Sequence, residues 1–183
     1  MAHGAPTARV ARMLSETFLD QGAEVLFDHG QKEVDPANQL GKIVTWLGHQ
    51  KRSDAMLAEL DIAILIRESG KVCALIEVEE TTNKPKVLLG DVFATLLGDR
   101  VTFQGDRNLP VGPWTTLIVM VRDRDQAHQS RMAFLQQEVD HIRSAISRPN
   151  ATIGRVVLAS FGDPTDLKNK LKQQVEWAIQ RAA

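Results

Sequence analysis

Hydrophobic positions follow two rhythms along this chain, one near 3.6 residues and one of short unbroken apolar runs. Between residues 7 and 21, Val10, Met13, Leu14, Phe18 and, more loosely, Leu19 share one helical stripe, with Thr7 behind Pro6 as its cap. Glu24-Val25-Leu26-Phe27-Asp28 reads as a short strand, and Asp28-His29-Gly30 and Asp35-Pro36 as loop. Residues 37–49 place Leu40, Ile43, Val44 and Leu47 at helical spacing, which predicts a second helix. Leu60 to Arg67 and Val72 to Glu79 are apolar on both faces and predict two strands joined by the turn Glu68-Ser69-Gly70. A helix is expected from about Pro85 to Leu97, since proline is tolerated at a first helical position. Trp114 to Val121 is a further strand, 126–147 a long amphipathic helix, Ile153 to Ser160 a strand, and 164–181 a last helix behind Asp163-Pro164.

This order, with one central hairpin among alternating helices and strands, predicts an α/β fold with a mixed central sheet flanked by helices. At 183 residues the chain fits a single domain with a real core. A net charge of -1 provides no global field toward nucleic acid or membrane, though it leaves room for a local basic groove. The single cysteine, Cys73, excludes an intramolecular disulfide, CxxC redox chemistry and cysteine-based zinc sites. No tyrosine is present to act as nucleophile or acid. No apolar run reaches membrane-spanning length, and the first residues lack a secretory pattern, so a cytoplasmic location is expected. The signatures GxxxxGK[ST], GxGxxG, HExxH and GxSxG are missing, which weakens NTPase, dinucleotide, zinc-protease and serine-hydrolase readings.

Three acids interrupt the apolar strands: Asp61, Glu77 and Glu79. A buried carboxylate is expensive unless something compensates its charge. Alternation puts Glu77 and Glu79 on one face. A three-residue loop at 68–70 pairs position i with 138 − i, which sets Asp61 opposite Glu77 and diagonal to Glu79. A two-residue loop would set Asp61 opposite Val78 and break the match. Carboxylates so close must either share a proton or be neutralised by a cation, and oxygen ligands favour Mg²⁺, Mn²⁺ or Ca²⁺. Salt bridges to lysine or arginine at exposed strand ends are the other solution.

Asp61, the hairpin and Glu77-Val78-Glu79 resemble the PD-(D/E)xK nuclease superfamily, with its restriction-endonuclease-like core. The resemblance spans about residues 7–121, leaving a strand and helix at about 122–183 as additions. Here Leu60 stands in place of the motif's proline, and Glu79 in place of its lysine, giving an ExE variant. The resemblance implies metal-dependent hydrolysis of DNA phosphodiesters. Asp61, Glu77 and the Val78 carbonyl would hold Mg²⁺, with Mn²⁺ able to substitute, and Glu79 would orient or deprotonate water. A further glutamate from the first helix would be Glu16, or else Glu24. Lys84 and Lys86 would contact phosphate at the start of the next helix, with Lys84 replacing the missing lysine. A homodimer is implied on the same ground.

Each of these residues also has an ordinary reading. Glu16, Lys84 and Lys86 suit solvated helix positions. Lys51 and Arg52, with His49, follow Trp46 and either contact a nucleic-acid backbone or complement a helix dipole. Arg122 and Arg124 alternate with Asp123 and Asp125 as a salt-bridged loop, and Gln104 to Asn108 is a polar loop. The stripe Met132, Leu135, Val139, Ile142 and Ile146 suits either core or a dimer face. An inactive nucleic-acid-binding or protein-interaction module on the same fold, and an unrelated α/β domain with structural acids, are the alternatives to a nuclease.

Overall fold

The computed structural model describes residues 5–27, 42–47, 55–80, 85–103, 107–123, 126–145 and 153–183. The strands are β1 (Ala23–Phe27), β2 (Ile43–Trp46), β3 (Met56–Leu60), β4 (Ile62–Ile66), β5 (Val72–Glu79), β6 (Arg100–Phe103), β7 (Arg107–Pro110), β8 (Thr115–Arg122) and β9 (Ile153–Phe161). The helices are α1 (Ala5–Phe18), followed by a 3-10 turn at Leu19–Gln21, α2 (Pro85–Leu97), α3 (Gln126–Ala145) and α4 (Pro164–Ala182).

The expected mixed sheet is present, with five strands in the order β1-β4-β5-β8-β9. β1, β4 and β5 run antiparallel, and β5, β8 and β9 parallel. One face carries Ile62, Ile64, Ile76, Ile118 and Met120 against Leu14 and Phe18 of α1 and Leu171 and Val175 of α4. The other carries Leu75, Leu117 and Val119 against Leu88 and Val92 of α2 and Met132, Leu135 and Val139 of α3. The α3 stripe is thus spent on the core at those three positions. The segment after residue 122 supplies the β9 edge of the sheet and, through α3 and α4, part of the cover of both faces.

A second sheet of four strands, in the order β3-β2-β6-β7, was not expected. The helix predicted over 37–49 is corrected where it is described, because Ile43–Trp46 is strand β2. Two β-branched aliphatics, Thr45 and Trp46 favour extended backbone, and pairing with both β3 and β6 decides the outcome. The polar loop expected at 104–108 is corrected in part: Arg107 and Asn108 belong to β7, where Asn108 Oδ1 accepts a hydrogen bond from Arg100 Nε at 2.8 Å. Thr7 is no cap, since α1 begins at Ala5 and Thr7 is buried within it. The last helix has the expected cap: Asp163 Oδ1 accepts from the amides of Thr165 and Asp166 at 2.8 and 2.9 Å.

The predicted continuous strand 60–67 is divided. β3 ends at Leu60 in one sheet, β4 begins at Ile62 in the other, and Asp61 is the joint between them.

Candidate functional site

The register of the β4–β5 hairpin decides whether the acids meet. Ile62 pairs with Ile76, Ala63 with Leu75 and Ile64 with Ala74, so the 138 − i rule holds in this half of the hairpin. The route to it differs from the expectation. The Ile66 amide donates to the Lys71 carbonyl, closing a four-residue turn at Arg67–Gly70 that is one residue longer than expected. Gly70 takes φ 65°, the left-handed region where a glycine is favoured. A bulge then leaves Cys73 without a Cα partner between Val72 and Ala74 and restores the pairing. Cys73 and Ala74 therefore face the same core, and the Cys73 thiol donates to the Ile64 carbonyl at 3.2 Å. Burial pushes that thiol up to about 12, so Cys73 is packing and no nucleophile.

With the register restored, Asp61 stands beside Glu77. The Asp61 amide donates to the Ile76 carbonyl at 3.1 Å, and the Asp61 carboxylate accepts from the Val78 amide at 2.8 Å. Val78 is buried between the two glutamates in sequence, on the opposite face of β5.

Glu77 and Glu79 lie on the face covered by α2. Glu77 is largely buried beside Leu60, Thr95, Leu117 and Val119, which line a cavity of about 10 Å³ with it, room for about one water. Burial in this apolar setting pushes the Glu77 carboxyl up to about 9, and the charges of Asp61, Asp91 and Glu79 act in the same direction. Asp91 of α2 is raised as well, by burial and then by Glu79. Four acids thus share one neighbourhood, and Glu77 holds a proton at neutral pH.

Asp91 escaped the sequence reading. The signal for it was present, because Asp91 stands three residues after Leu88 and four before Thr95, on the stripe of α2 that turns toward the sheet. The Thr95 hydroxyl donates back to the Asp91 carbonyl at 2.8 Å, which fixes that turn of helix.

The other predicted residues lie elsewhere. Glu16 is exposed on α1, and α1 packs on the opposite face of the sheet from Glu77. Glu24, the second candidate on that side, is held by Arg107 of β7 through two bonds of 2.8 and 3.0 Å. That bidentate pair draws the Glu24 carboxyl below its ordinary range. Lys86 is exposed in the first turn of α2. Lys84, Lys51 and Arg52, with His49, lie outside the described residues, as does Arg124. Arg122 is exposed at the end of β8.

Among the described residues, no three histidine, cysteine, aspartate or glutamate side chains stand close enough together to hold a metal ion. The chemistry of the acids nevertheless suits a hard divalent cation, because every side-chain donor among them is a carboxylate oxygen. Comparison with protein-family models, curated proteins and solved structures gives no match. Among the described residues, no helix is long and apolar enough to cross a membrane.

Proposed function

We propose that this chain is a metal-dependent nuclease of the PD-(D/E)xK type that hydrolyses DNA phosphodiesters. The observation that carries the reading is the gathering of Asp61, Glu77, Glu79 and Asp91, whose charges add to burial in raising the Glu77 carboxyl. A protein gains nothing in stability by burying an acid among three others, so the arrangement asks for a function. Asp61 and Glu77 would hold Mg²⁺ or Mn²⁺, with the Val78 carbonyl as a further ligand. When bound, that ion supplies charge for the phosphate oxygens and acidifies a water. Glu79, on the same face of β5 as Glu77, would orient the attacking water and take its proton. Lys84 and Lys86 hold the phosphate at the start of α2, where the helix end itself favours an anion. Lys51 and Arg52 extend the contact along the DNA backbone, and a second copy of the chain would serve the second strand. Glu16, on the other face, is given no role in this reading.

The test is a calorimetric titration of Mn²⁺ into wild type, Asp61→Asn and Glu77→Gln, followed by a DNA-cleavage screen. Saturable binding in wild type, lost in both folded variants, supports the reading. Its absence in wild type overturns it.

A second reading has its own observation. The Asp61 carboxylate already accepts the Val78 amide, a bond that ends the pairing of β4 with β5. An inactive nucleic-acid-binding or protein-interaction module on this fold would need no more of Asp61 than that. In that case the cation titration fails and DNA binding persists.

A further inference from the structure

At the opposite edge of the five-stranded sheet, an open groove of about 630 Å³ runs along β9 between α3 and α4. β9 is an edge strand, and an unprotected edge would invite another strand. This edge is already occupied by side chains. Gln136 of α3 donates to the Val156 carbonyl at 3.1 Å and accepts from the Leu158 amide at 2.5 Å, doing the work of a neighbouring strand. Arg143 Nη1 donates to the Gly154 carbonyl at 2.7 Å, and Lys170 to the Ser160 carbonyl at 2.7 Å. Strand addition is therefore not the use of this groove.

Its lining is cationic. Among the described lining residues, Arg143, Arg155 and Arg181 face one carboxylate, Asp140, which accepts from Gln136 at 2.9 Å. Trp177 organises two of the three: the Arg155 guanidinium lies 4.0 Å from its ring centre and that of Arg181 5.2 Å. Holding two guanidiniums on one ring works against their repulsion, and Arg155 is accordingly drawn below its ordinary range by burial and by Arg181. Arg155 Nη1 and Arg143 Nε are buried without a hydrogen-bond partner among the described residues. Buried donors normally find acceptors, and these two border the groove. Planar guanidiniums with spare donors are the usual partners of phosphate.

We propose that this groove binds a phosphate group through Arg155 and Arg181, with Arg143 and Trp177 setting their positions. The ligand class is a phosphate monoester, a pyrophosphate or a phosphodiester. The site is separate from the acids on β5 and does not rest on the nuclease reading.

Pyrophosphate, adenosine monophosphate and a short single-stranded oligodeoxynucleotide are each titrated into the protein in EDTA, so that metal chemistry at the acids does not enter. Thermal melting and tryptophan fluorescence report binding. The expected result is saturable binding that raises Tm and is weakened at least tenfold in both Arg155→Gln and Arg181→Gln. Binding of pyrophosphate and the mononucleotide assigns the groove to a free phosphate ligand. Binding of the oligonucleotide alone, lost in the same variants, assigns it to a polymer backbone. Arg181 is exposed near the end of α4, so its variant keeps the fold and carries the test if Arg155→Gln does not. No saturable binding of any probe, or binding that survives both substitutions, overturns the proposal.

Discussion

Asp61 does two jobs that substitutions can separate. Its carboxylate satisfies the Val78 amide at the place where β4 leaves the hairpin, and its charge is one of those that raise Glu77. Asp61→Ala removes the acceptor and strands a part-buried amide, at a cost of about 1–3 kcal/mol. Asp61→Asn keeps an oxygen in the same place and should lose much less, while removing the charge. In the asparagine variant, Glu77 then gives up its proton at a lower pH than in wild type. Urea unfolding of the two variants measures the first difference, and a carboxyl NMR titration of Glu77 the second. Equal destabilisation by alanine and asparagine would show that the charge, and not the hydrogen bond, holds the joint. Three of the four acids were legible in the sequence because each interrupts an apolar strand. Asp91 had only its place on the α2 stripe to mark it, and an acid on a helix is ordinary until the sheet it packs on is known.

Elements with a strong local pattern were legible almost to the residue. α2 runs from Pro85 to Leu97 as its proline and apolar spacing predict, and β5 from Val72 to Glu79. The second sheet was hidden because its strands are only four or five residues long, and its two halves meet only where β2 pairs with β6, more than fifty residues away. Ile43, Val44 and Leu47 fit a helical window as well as an extended one, and only β3 and β6 decide between them. The hairpin shows a subtler limit, for its longer turn and its bulge at Cys73 cancel, so the right register followed from a loop one residue too short. β9 shows a constraint of close approach: a Cβ on Gly154 would sit 1.8 Å from the Pro113 carbonyl oxygen, backbone that cannot simply rotate away. Gly154→Ala should therefore destabilise the fold by about 1–3 kcal/mol, the usual cost of overpacking. Chemical denaturation measures it, and a neutral result would mean that the start of β9 shifts freely against the 112–114 loop.

For the whole molecule, the buried acid ties stability to pH and to cations in a direction that can be worked out. The folded chain holds the Glu77 proton up to about pH 9, whereas an unfolded glutamate releases it near its ordinary value of 4.5. Between those limits the folded state binds more protons than the unfolded one, so stability falls as pH rises. Below about pH 4.5 both states are protonated at this residue and its contribution levels off, and above about pH 9 both are ionised. Asp91, also raised, contributes in the same direction. The metal-free protein should thus melt at progressively lower temperature from pH 5 to pH 9, and Glu77→Gln should flatten that slope and melt above wild type at pH 8. A bound divalent cation needs the ionised carboxylate, so it competes with the proton. Excess Mg²⁺ or Mn²⁺ should raise Tm more at pH 8 than at pH 6, and binding at pH 7 should release close to one proton. Calorimetry in two buffers of different ionisation enthalpy counts that proton. A steep pH dependence abolished by Glu77→Gln, with no response to either cation, would keep the electrostatics and remove the metal. The acids would then be a strained structural joint, and the nuclease reading would fall with the metal.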